Sequence, residues 1–170
     1  MVSKREPAPA GEGRRLVPLT WQDSLDLLGT VSFGRIGFTS RALPAIRPVN
    51  HLLDEGDIII RTPLGAAITG AARSDTVVAY EADNIDQLDH LGWSVVVTGI
   101  AWHVTDQRAV ERYQRLLRPW VDGPRDSVIK VMPELVTGYR LVPSLRQDNG
   151  FNTDVEVPGL GSAAETAWSD

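Results

Sequence analysis

The chain has no cysteine. Disulfides, thiolate metal sites and thiol nucleophiles are therefore excluded, which fits a cytoplasmic protein. Histidine is scarce, at positions 51, 90 and 103, and these residues do not combine with the scattered acids into a metal-ligand spacing. Ser24 and Ser32 lack the histidine and acid pattern of a hydrolase. No apolar run reaches the ~20 residues that a membrane-spanning helix needs. "MVSKREPAPAGEGRR" has no apolar stretch after its charges, unlike a secretory signal. A broad basic face is missing as well. Residues 1–15 carry +2, residues 144–170 carry −4, and the body between them −3. Nucleic-acid backbones are thus poor partners.

What remains is an ordinary globular balance, 42% apolar and 23% charged over 170 residues, enough for one domain with a real core. The first fifteen residues are rich in Pro, Gly and charge and read as a mobile tail. "LTWQDSLDLLG" reads as a helix, capped by Thr20 with Asp23 completing a capping-box pattern and Gly29 at its end. Strands follow in "TVSFGRIGFTS", where glycines suggest a bulge or bend, and in "LPAIRPVNHLL", where Pro44 and Pro48 favour an edge or irregular position. "DEG" is a turn, "DIIIRT" a strand, and "PLGAAITGAA" a short helix. "DTVVAYEAD" is a further strand, "EADNIDQLD" a solvated loop, and "WSVVVTGIAWHV" a strand bent at Gly99. "TDQRAVERYQRLLRPW" is the clearest helix, capped by Thr105 or Asp106 and stopped by Pro119. "SVIKVMPELVTGYRLV" reads as a strand on each side of "MPELVTG". After Pro143 the apolar pattern dissolves into an acidic tail, 144–170, which leaves 16–143 as the domain. Strands joined by short turns, with helices outside, predict an antiparallel barrel rather than a parallel sheet.

"IIIRTPLGAAITGAAR" runs a buried strand straight into a helix with Arg61 and Thr62 at the join. Such a join suits a phosphate, because a helix start offers free N–H groups and a positive dipole end. Gly65 lets a backbone come close. The customary cation just inside the helix is missing, since Ala66 and Ala67 stand there.

The ordered set "GRIGFTSRALPAIRPVNHLLDEGDIIIRT", the short helix, "GWSVVVTGIA" and "LRPWVDGPRDSVIKVMPELVTGYRL" resembles the flavin-binding split-barrel proteins, the pyridoxamine 5′-phosphate oxidase-like superfamily. Within it the chain looks most like the actinobacterial, nitroimidazole-reductase-like branch. The resemblance implies a mainly β, α+β fold, a six-stranded antiparallel split barrel with flanking helices. It further implies a homodimer with FMN in the clefts between subunits. On that pattern Arg47, Pro48, Val49 and Asn50 run along the flavin ring, and Arg61 and Thr62 meet the phosphate with Gly65, Ala66 and Ala67. Trp93 and Ser94 lie near the flavin, and Trp120 and "GYRL" approach it from the partner chain.

The implied function is an FMN-dependent oxidoreductase acting on a small molecule, with hydride transfer carried by the flavin and no catalytic side chain designated. Relatives place a lysine or arginine where Ala67 stands, and losing one such ion pair costs about 1–3 kcal/mol. That gap keeps two alternatives open: a non-catalytic ligand-binding split barrel, or a member using F420 or haem. His51 and His103 are the haem-ligand candidates, although each also fits a structural, hydrogen-bonded role. Trp93, Trp102 and Trp120 fit either a cleft for a flat ligand or a dimer interface.

Overall fold

The computed structural model describes residues 13–63, 65–69, 76–117 and 127–144. Apart from Ser144, the segment read as an acidic tail lies outside them, as do Pro119 and Trp120. In chain order the elements are β1 (Arg14–Pro18), α1 (Trp21–Leu28), β2 (Phe33–Ser40), β3 (Leu43–Asp54), β4 (Asp57–Thr62), α2 (Gly65–Thr69), β5 (Thr76–Ile85), β6 (Gly92–His103), α3 (Gln107–Leu116) and β7 (Ser127–Pro143). No helix among the described residues is long and apolar enough to cross a membrane.

Six antiparallel strands close into a ring, β2-β5-β6-β7-β4-β3 and back to β2. This is the expected split-barrel class. A seventh strand, β1, lies against the far end of β7, and it takes up Arg14 and Arg15 from the segment read as tail. The interior is filled by the alternate residues of each strand, among them Ile36, Ile58, Ile60, Val95, Val97 and Val131. At one end α2 places Ile68 in this core. On the outside α3 lays Tyr113 and Leu117 over Ile59 and Val128.

Local signals account for the helix starts. The Thr20 Oγ1 accepts from the Asp23 backbone N–H at 3.1 Å and bonds the Asp23 carboxylate at 2.6 Å. For α3 the cap is Asp106, whose carboxylate accepts from the Ala109 N–H at 2.8 Å. Pro44 and Pro48 lie in the half of β3 that pairs with β2 alone, since β4 covers only Asn50 to Asp54. A missing N–H on that open side breaks no ladder bond. Gly99 marks a register shift between β6 and β7, as the bend predicts.

Three expectations change. β2 pairs without interruption, so its glycines make no bulge. Gly34 instead admits a neighbour, for a Cβ there would lie 2.3 Å from the Tyr80 hydroxyl. "EADNIDQLD" is not wholly a loop, because β5 runs on to Ile85 with Glu81 and Asp83 facing outward while Tyr80 and Ala82 face the core. And β7 is one strand of 17 residues, not two. Pro133 is tolerated within it because it meets Gly99 at the register shift and has no strand on its other side.

Candidate functional site

Paired residues of adjacent strands share a face of the sheet. Phe33 pairs with Asn50, Asn50 with Arg61, and Arg61 with Val128, which sets these four in one row across the outside of β2, β3, β4 and β7. A second outer row runs from Pro48 to Arg35, Glu81 and Val96, and a third joins Asp83, Ser94 and Tyr139. Of the residues expected along a flavin, Pro48, Asn50, Arg61 and Ser94 therefore lie on one outer surface. Val49 and Thr62 turn into the barrel and are buried. Arg47 is exposed, and its Nη1 donates to the Ile46 carbonyl at 2.7 Å. Trp93 is not on the outer surface. It shares the inner face with Val95 and is 5% exposed, so it serves the core rather than a cleft or an interface. Trp102, on the outer face, is half-buried opposite Lys130. Trp120 lies outside the described residues.

Phe33 and Arg35 belong to this surface, and sequence reading did not single them out. Their signal is the period of β2: Ile36 and Phe38 point inward, which puts Phe33 and Arg35 on the other face. Phe33 is 46% exposed. The Arg35 Nη1 lies 3.1 Å from the Glu81 carboxylate and 3.2 Å from that of Asp83. Burial pushes the Glu81 carboxyl above the usual carboxylate range, Arg35 opposes the shift, and nearby Asp83 adds to it. The Glu81 bond, first, and the charge of Asp83 hold the Arg35 guanidinium firmly protonated.

At the join of β4 and α2, Thr62 and Gly65 are both buried. Thr62 is 3% exposed. A Cβ on Gly65 would stand 2.5 Å from the Ser127 Cβ and 2.7 Å from the His103 Cε1. The glycine thus permits close packing of α2 against Ser127 and His103. Ala67 is exposed, on a helix of five residues. Arg61 turns toward α3, where its Nη1 donates to the carbonyls of Gln114 at 3.1 Å and Leu117 at 3.0 Å. His51 is buried and uses both ring nitrogens internally, Nε2 toward the Leu28 carbonyl at 2.9 Å and Nδ1 toward the Tyr80 hydroxyl at 2.7 Å. It is a structural residue, not a haem ligand.

The pyridoxamine 5′-phosphate oxidase family pattern matches residues 20–142, most of the chain. The chain belongs to this family. A 50% identical relative is the uncharacterized protein Rv0080 of Mycobacterium tuberculosis, over 137 residues that make up 78% of this chain and 90% of that protein. Among solved structures, the FAD binding protein of Mycobacterium smegmatis is 32% identical with a TM-score of 0.61, covering 73% of this chain and 97% of its own. A conserved protein of unknown function from Corynebacterium diphtheriae is 27% identical with a TM-score of 0.59, covering 75% and 98%. Its place in the pyridoxamine 5′-phosphate oxidase family accords with the ring of six strands.

Proposed function

We propose that this member of the family is a homodimeric flavoprotein that binds FMN on the outer face of β2 and β3 and exchanges hydride or electrons with a small flat molecule. The observation that carries the reading is the strip of Phe33, Pro48 and Asn50. It sets an exposed phenyl ring and an exposed proline beside a carboxamide, with the Arg35 guanidinium at its edge. Those residue types fit an isoalloxazine ring. The flavin would supply the redox chemistry, while Asn50 and Pro48 orient its ring and Ser94 borders the far side. The phosphate end fits less well, since Thr62 and Gly65 are buried. That misfit favours the second reading, a split barrel that holds a ligand without catalysis. Flavin binding by the Mycobacterium smegmatis relative supports the first.

A flavin on an open face needs a second wall. Exposed Ile46, Val77, Val96, Met132 and Leu135 all belong to the same outer side of the barrel. An apolar strip of that kind suits a second copy of the chain. The decisive experiment is purification of the full-length protein followed by absorbance and light scattering. A yellow dimer with one FMN per chain supports the proposal. A colourless protein that FMN titration leaves unchanged refutes it and favours the ligand-holding alternative.

A further inference from the structure

We infer that Arg61 is a positioning residue that fastens the C-terminal turn of α3 to β4, and that it does not recognise a ligand's phosphate. For its ligand-binding test this rests on the flavin reading above. The last carbonyls of a helix have no partner within the helix. Many helices satisfy them with a following glycine in the left-handed conformation. The sequence offers α3 no glycine at its end, and the capping residue Leu117 is extended, with φ −99° and ψ 104°. The Arg61 guanidinium reaches across from the sheet instead and bonds the carbonyls of Gln114 and Leu117. Its position in the outer row, between Asn50 and Val128, directs it there, because Val128 itself packs under α3 with Tyr113 and Leu117.

The electrostatics point the same way. A helix C-terminus carries partial negative charge, which stabilises a cation and repels an anion. A phosphate approaching the Arg61 Nη1 would meet those two carbonyls at the negative end of α3. Its other supposed partners are also committed, Thr62 to the barrel interior and Gly65 to contact with Ser127 and His103. Arg61 therefore shapes the wall beside the candidate face and leaves any preference for a phosphorylated flavin to other groups.

The test compares the wild-type protein with Arg61→Met, which keeps an apolar stem and removes the charge. Each is titrated with FMN and with riboflavin, which lacks the phosphate, and amide hydrogen exchange is followed over residues 107–117 without ligand. The expected result is an unchanged ratio of the two affinities and exchange accelerated about tenfold or more near the end of α3. A selective loss of FMN affinity by about tenfold or more, the size expected from losing a charge-assisted bond, would overturn the inference. So would exchange that does not change. If the methionine variant fails to fold, Arg61→Gln is read in the same two ways. If the wild-type protein binds neither flavin, the proposed function fails, and the exchange result alone decides the role of Arg61.

Discussion

Replacing Tyr80 by phenylalanine isolates one buried hydrogen bond. Tyr80 is fully buried, and burial pushes its phenol far above the ordinary value, with the nearby Glu81 adding to the shift, so the hydroxyl keeps its proton. The His51 Nε2 faces the Leu28 carbonyl, which can only accept, so Nε2 carries the ring proton and Nδ1 accepts from Tyr80. Tyr80→Phe leaves Nδ1 buried without its donor, at a cost of about 1–3 kcal/mol. Denaturation in urea, followed by tryptophan fluorescence, measures the loss, and a change below about 0.5 kcal/mol would refute the reasoning. A coupled variant sharpens the test. Gly34→Ala places a Cβ 2.3 Å from the Tyr80 hydroxyl and 2.4 Å from the Glu81 carbonyl. The alanine should cost somewhat less in the Tyr80→Phe background than in the wild type, because the hydroxyl contact is gone while the ring Cζ, 2.7 Å from that Cβ, remains. It should remain harmful, because the backbone carbonyl of Glu81 cannot withdraw without parting β2 from β5.

Burial lowers the His51 pKa against the partial offset of its bond to Leu28, so the folded protein resists protonating a group that the unfolded chain protonates near pH 6.5. Stability is full above that pH and declines below it, by up to about 1.4 kcal/mol per pH unit until the folded His51 titrates, and a flat urea midpoint between pH 7 and 5 would contradict this. Gly65→Ala should cost about 1–3 kcal/mol by driving α2 from Ser127 and His103, with partial recovery in a Ser127→Gly background, both read from thermal melts. Leu135→Asp, on the exposed strip, should shift the proposed dimer to monomer in light scattering while the circular dichroism spectrum is retained.

Features set by near neighbours were legible in the sequence. The Thr20 and Asp106 caps and the break at Gly99 each depend on a few adjacent residues, and each stands where its local signal lies. The prolines of β3 also located its one-sided half correctly. What stayed hidden depends on distant partners. Glu81 and Asp83 look like loop residues until Arg35, more than forty positions away, is placed beside them. Trp93 resembles a cleft residue until its pairing assigns it to the same face as Val95. In the candidate site the strand that holds Pro48 and Asn50 was readable. The destination of Arg61 was not, since nothing near it in the sequence announces the end of a helix more than fifty residues later.

The length of β7 has a consequence for how the protein is made. β7 touches β4 near its start, β6 along most of its length and β1 at its end. Until it leaves the ribosome, β4 and β6 each lack this neighbour, and the ring cannot close. Closure then depends on pairings between residues as far apart in sequence as Arg14 and Pro143, contacts of a kind that slow folding. The nascent chain is most prone to aggregate in that interval, and its chance of reaching the native state turns on β7 arriving promptly.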